Sequence, residues 1–153
     1  RQLQNKSSIE NLLKIWHESD IKIDLLIFGK MFNKYDINNK NISFKGYIND
    51  LSECYKKNSV LINLTEIVGG IKIKTIQAIS RGVPVIGFKN AFEGLPLGID
   101  LIKLRSINQV QLFLNSKKIN ADLKKQYSVQ NKWARKILDK NSVLKNWKSI
   151  ILD

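Results

Sequence analysis

Hydrophobic positions along the first hundred residues alternate between two rhythms. From Ser8 to Glu18 they fall at Ile9, Leu12, Leu13, Ile15 and Trp16, a stripe of helical spacing with Ser7 or Ser8 as its N-cap. Residues 23–29, IDLLIFG, form a short apolar run ending in Gly, the pattern of a strand buried on both faces in a parallel sheet. Residues 30–41 are polar and Asn-rich and read as loop. NISFKGYI (41–48) is a second strand, and Asn49 or Asp50 caps a short helix through Leu51, Cys54 and Tyr55. SVLINL (59–64) is a third strand, 71–81 a helix, and VPVIGF (83–88) a fourth strand, with a fifth over 99–104. From Ile107 the spacing is helical almost to the end, anchored by Leu112, Leu123, Trp133, Ile137, Leu138, Leu144 and Trp147.

Strand and helix thus alternate before a helical tail, which predicts an α/β fold with a doubly wound, mainly parallel sheet. Neither an internal repeat nor a linker divides the chain, so residues 1–153 read as a single domain.

Composition narrows the chemistry. The chain has 153 residues, 43% hydrophobic and 25% charged, with a net charge of +13. The charge is uneven: residues 1–100 carry 14 basic and 10 acidic side chains, and 101–153 carry 12 and 3. Such a surface attracts nucleic acid, anionic lipid or phosphorylated small molecules. The lone Cys54 excludes an internal disulfide and a Cys-based zinc site, and the lone His17 excludes a His-rich metal site. No apolar run approaches the roughly 18 residues of a spanning helix. The expected location is cytoplasmic, with peripheral contact to the inner face of the membrane. Because the chain begins at Arg1, it reads as part of something longer.

The segment GGIKIKTIQAISRGVPVIG (69–87) concentrates the candidate chemistry. Gly69 and Gly70 allow tight backbone conformations and close approach of a ligand. The first-turn amides of the helix have no intrahelical partner and sit at the positive end of its dipole. Lys72 and Lys74 at that end oppose an isolated helix by about 0.3 to 1 kcal/mol each, and a bound phosphate reverses the sign. On the helical wheel Lys74, Gln77 and Arg81 share one side, with Ile73, Ile76 and Ile79 toward the sheet. Arg81 near the helix end is ordinary dipole compensation, and Gly82 is the terminator.

The same segment, followed by AFEGL (91–95), resembles the donor-binding half of retaining glycosyltransferases of the GT-B fold, the glycosyl transferases group 1. Their pattern reads G-G-x-K-x-K-x-x-E-A-x-x-x-G-x-P-V-V before a downstream A-x-E-G-L. ISFKGYINDLSECYKKNSVLINL (42–64) is similar to the preceding strand, glycine turn, short helix and strand of that family. The resemblance implies a Rossmann-like domain that holds a nucleotide-diphosphate sugar as donor substrate, with no cofactor and no metal. It implies that Gly69, Gly70 and Ile71 offer amides to the diphosphate while Lys72 and Lys74 add charge. Gln77 stands where the family has a ribose-binding Glu, and Gly69 where it often has another. Gly29, Lys30, Tyr47 and Ile48 would border the nucleobase, and Thr65 and Glu66 the sugar. Glu93 of AFEGL either joins the site or caps its own loop. The family's first strand, its basic phosphate-facing loop and its acceptor-binding domain would lie before Arg1. The implied activity is transfer of a hexose to a glycan or lipid-linked acceptor, as in polysaccharide biosynthesis, with this domain inactive alone. The rival reading is a non-catalytic basic module for nucleic acid or anionic membrane, nucleic acid being the weaker partner because Trp133 falls at core spacing. No GxxxxGK[ST] loop and no acidic cluster at a strand end is present, which excludes a P-loop nucleotidase and a receiver domain.

Overall fold

The structure, a computed structural model, describes residues 2–29, 38–56, 58–66, 69–70, 72–95 and 102–137. Helix α1 spans Gln2–Glu18, followed by β1 (Leu25–Phe28), β2 (Ile42–Gly46), a 3₁₀ turn (Leu51–Cys54) and β3 (Leu61–Asn63). Helix α2 (Ile73–Ser80), β4 (Val85–Phe88), a second 3₁₀ turn (Lys89–Phe92), β5 (Lys103–Leu104), α3 (Ile107–Leu114) and α4 (Ile119–Ile137) complete the order. All strand pairs are parallel, in two groups: β1 beside β2, and β3–β4–β5 with β4 central. The result is a doubly wound, Rossmann-like α/β arrangement with a helical C-terminal part.

Helices cover both faces. Ile15 and Trp16 of α1 share a core with Leu25, Ile27, Ile42, Ile86, Leu104 and, from α3, Val110 and Leu114. The opposite core joins Ala78 and Ile79 of α2 to Val83, Val85, Phe92 and, from α4, Trp133 and Ala134. Successive residues of β4 thus serve opposite faces, Val85 one and Ile86 the other, as strand geometry requires. Parallel crossovers need this covering, because a bare face would leave apolar side chains in water.

Several expectations are corrected. Ser7 and Ser8 do not cap α1, because QLQNK ahead of them contains no helix breaker and the helix runs through. Ser8 Oγ instead donates to the Leu64 carbonyl at 3.3 Å. β1 is not buried on both faces: Leu25 and Ile27 are inside, while Leu26 is 42% exposed. Ile73 is 64% exposed, and the inward face of α2 is Thr75, Ala78 and Ile79. Leu112 is 71% exposed because two residues on a helix turn about 200° away from the buried Val110. The loop expected over 30–41 falls mostly outside the described residues, as do Leu138, Leu144 and Trp147.

The short helix after β2 is a 3₁₀ turn capped by Asp50, which accepts from the Ser52 amide at 2.8 Å and the Ser52 hydroxyl. The hydroxyl and then the amide bond hold the Asp50 carboxyl below its usual range. Burial pushes the Cys54 thiol up, so it stays protonated at neutral pH.

Two glutamines of α4 had no signal in the spacing. Gln130 is buried, accepts from the Val85 amide and donates to the Val85 carbonyl, both at 3.1 Å. Gln126, one turn earlier, accepts from the Ile102 amide at 3.2 Å.

Candidate functional site

Because the strands are parallel, their carboxyl ends share one edge, where loops enter helix N-termini. At the end of β3, Asn63 organises that edge. Its side-chain amide donates to Thr75 Oγ1 at 3.1 Å, and its carbonyl oxygen accepts from the Thr65 amide at 3.2 Å. Thr75 is fully buried, and its hydroxyl donates a hydrogen bond to the Ala91 carbonyl at 2.8 Å. The start of α2 is thereby tied both to β3 and to the turn after β4.

The glycine loop is tied to the same turn. Gly69 and Gly70 have φ of +92° and +75°, which side-chain-bearing residues rarely adopt, and space where a Cβ would stand is open. The Gly69 amide donates to Glu93 Oε2 at 2.5 Å. Lys72 Nζ donates to the Gly69 carbonyl at 2.7 Å and lies 3.7 Å from Glu93 Oε2. Asn90 Nδ2 donates to the Glu66 carbonyl at 2.7 Å. Glu93 therefore does more than cap its own loop: the GGIK and AFEGL segments form one hydrogen-bonded unit. The Lys72 side chain is only 12% exposed. Its charge at the helix start, unfavourable in isolation, faces a carboxylate.

The expected site residues fall into three groups. Gly69, Gly70 and Lys72 meet at the start of α2, with half-buried Thr65 and exposed Glu66 on the approach from β3. Lys74, two residues further along, is exposed, and its backbone carbonyl accepts from the Tyr55 hydroxyl at 3.4 Å. Gln77 is half-buried; its Oε1 is enclosed without a hydrogen-bond partner among the described residues. Arg81 stacks 5.3 Å from the Tyr55 ring centroid and donates to the Gln77 carbonyl. On the β1–β2 side of the same edge, Gly29 donates its amide to the Gly46 carbonyl at 2.7 Å, and Tyr47 is 63% exposed, with Ile48 half-buried beside it. Lys30 and Ile71 lie outside the described residues.

An open cleft of about 550 Å³ adjoins the loop at the carboxyl ends of β4 and β5, lined by Glu66, Phe88, Lys89, Arg105 and Ser106 among others. Sequence reading assigned only Glu66 to this place. It also missed Asn63, Thr75 and Asn90, although a Thr on the inward face of an otherwise apolar helix is a detectable signal. No group of His, Cys, Asp or Glu suited to a metal occurs among the described residues.

The chain matches the family model described as Glycosyl transferases group 1 over residues 2–100. No curated protein and no solved structure matches it.

Proposed function

Since the chain belongs to the glycosyl transferases group 1, we propose that within that activity it is the donor half of a GT-B enzyme: it holds a nucleotide-diphosphate sugar at the carboxyl edge of its sheet, for transfer of a hexose to a glycan or lipid-linked acceptor. The acceptor-binding domain is then a separate unit, and residues 1–153 bind donor without turning it over. The observation that carries this reading is the Glu93 carboxylate on the Gly69 amide and beside the Lys72 ammonium. Those groups already accept an anionic oxygen, at a helix start and next to glycines that leave room for a ligand.

In transfer, the bond between the anomeric carbon and the diphosphate oxygen breaks, and the leaving group takes the electron pair. The acceptor oxygen forms the new bond, and its proton passes to the departing phosphate. Negative charge grows on the departing phosphate, so amides and lysines fixed beforehand stabilise the transition state without reorganising. A phosphate that takes the Gly69 amide and Lys72 displaces Glu93, which thus acts as an internal competitor.

The test is thermal unfolding with uridine, guanosine and adenosine diphosphates. Ligand at about 100 times its dissociation constant adds about 2.7 kcal/mol, several degrees for a chain of this size. Glu93→Gln should bind the same nucleotide a few-fold more tightly, since a competing charge is removed. If no nucleoside diphosphate raises the melting temperature at millimolar concentration while duplex DNA or anionic vesicles do, the donor reading falls. One observation favours a second, accessory role: Lys124, Lys125, Lys132, Arg135 and Lys136 of α4 are all exposed and, at 100° per residue, lie within an arc of about 120°. Such a face suits the anionic surface that carries a lipid-linked acceptor.

A further inference from the structure

The cleft at the carboxyl ends of β4 and β5 has a lining that the donor reading leaves unused. Its floor is apolar: Leu104 is buried, and Phe88 and Ile107 are half-buried. Its polar groups come from opposite walls, Lys89 from the turn after β4, Arg105 and Ser106 from the link between β5 and α3, with the acid Glu66 between them and the glycine loop. We propose that this cleft takes an acidic sugar, a saccharide ring carrying a carboxylate or a phosphate, as the acceptor end of the transfer. Calling that sugar an acceptor rests on the donor reading; its binding to the cleft does not.

Charge selects the ligand. The ion pairs among the described residues are Lys6–Glu10, Lys14–Glu18, Lys22–Asp20 and Lys72–Glu93, so neither Lys89 nor Arg105 meets a carboxylate among them, and Glu66 pairs with neither. The glycine loop is the contrast, since its Lys72 already lies against Glu93. Two cations against one carboxylate leave the cleft positive, and α3 starts on the same wall with the positive end of its dipole. An arginine fork matches a carboxylate or a phosphate with two parallel bonds, and lysine adds a point charge. The floor and Glu66 narrow the choice further. An apolar floor holding an aromatic ring suits the C–H face of a sugar, and Glu66 accepts from ring hydroxyls while repelling an anion that carries none.

Both walls are fixed before any ligand arrives. On one, Asn90 donates to the Glu66 carbonyl and the Ala91 carbonyl accepts from Thr75. On the other, the Gln109 side chain accepts from the Arg105 amide at 2.8 Å, while the Gln109 amide donates to Ser106 Oγ at 3.3 Å. The volume of about 550 Å³ lies within the roughly 300–1,000 Å³ of small-molecule sites. Position favours the acceptor. Along the carboxyl edge the glycine loop follows β3, and the cleft follows β4 and β5, one to two strand spacings of about 4.8 Å further on. A diphosphate at Gly69 and a ligand in the cleft then stand about one sugar ring apart, as donor and acceptor must.

Titration of the 153-residue chain, followed by amide NMR shifts with and without a nucleoside diphosphate (uridine, guanosine and adenosine in turn), tests this. Glucuronate or glucose 6-phosphate should shift the Lys89, Asn90, Arg105 and Ser106 amides, binding at least about tenfold more tightly than glucose or inorganic phosphate. The tighter of the two names the acidic group. Lys89→Gln with Arg105→Gln should weaken the acidic sugar about tenfold, bring it level with glucose, and leave the melting temperature within about 1 °C, because both side chains are exposed. The nucleotide should move the Gly69 and Gly70 amides and leave the affinity of the acidic sugar unchanged or higher. A nucleotide that moves neither glycine counts against the donor reading alone, and the cleft is still judged by its own shifts. Competition between nucleotide and acidic sugar would make the cleft part of the donor site. Glucose binding as tightly as its acidic counterparts, shifts confined to the glycine loop, no shift in the cleft at all, or a double variant that binds as before would remove the acidic ligand. Each of these overturns the proposal.

Discussion

At the scale of single residues, the contacts of the glycine loop separate binding from folding. Gln77 stands where the family pattern has Glu, and its Oε1 is enclosed with no hydrogen-bond partner among the described residues. On the donor reading a ribose hydroxyl donates to it. A neutral acceptor contributes about 0.5 to 1.5 kcal/mol, so Gln77→Ala should lose a few-fold in affinity for a nucleoside diphosphate and almost none for inorganic pyrophosphate. Calorimetry with both ligands decides it: equal loss for the two would place Gln77 at the phosphates, and no change for either would leave it a structural residue. Gly87 is the opposite case, needed for space alone. A Cβ there would stand 2.0 Å from the Asn63 carbonyl oxygen, which is backbone and cannot swing aside. Gly87→Ala should therefore push β4 away from β3 and cost on the order of 3 kcal/mol or more, seen as an early urea midpoint. Because Asn63 also positions Thr65 and Thr75, the start of α2 should loosen with it.

At the scale of elements, α4 acts as a partial substitute for a strand. Among the described residues β5 pairs with β4 at Gly87 and Phe88, and the Val85 amide and carbonyl meet a helix instead. The buried Gln130 side chain meets both. Gln130→Met keeps the volume but strands two buried backbone groups, each costing about 1 to 3 kcal/mol. The expected loss is about 2 to 6 kcal/mol by chemical denaturation, with nucleotide affinity of the folded fraction unchanged. A loss under 0.5 kcal/mol would show that water or a relaxed backbone serves Val85 equally well.

At the scale of the whole molecule, charge and apolar burial are segregated. One side of α4 buries Gln126, Gln130, Trp133 and Ala134, and the other presents five cations to solvent. No helix among the described residues is long and apolar enough to cross a membrane. Attraction of about 1 kcal/mol per cation near an anionic surface should bring the protein onto phosphatidylserine vesicles at low ionic strength. Raising salt to about 0.5 M shortens the Debye length to a few Å and should release it. Lys124→Glu with Lys132→Glu should abolish co-sedimentation while leaving the melting temperature within about 1 °C. Vesicle binding that survives both changes would assign the contact to another face.

Whatever depends on neighbours a few residues apart was legible in the sequence. The order of strands and helices, Asp50 as a cap, the start of α2 just after two glycines and Gly82 as its terminator, at φ +73°, all follow from periodicity and local hydrogen bonding. Helix length was less legible, since Ser7 and Ser8 are good caps but nothing ahead of them stops the helix. What the tertiary structure decided are the pairings between distant parts of the chain. Glu93 meets Gly69 across 24 residues and Gln130 meets Val85 across 45, and neither separation leaves a periodic trace. The side chains involved are polar, so a hydropathy pattern sends them to solvent. Burial becomes favourable only once a returning segment supplies the partner.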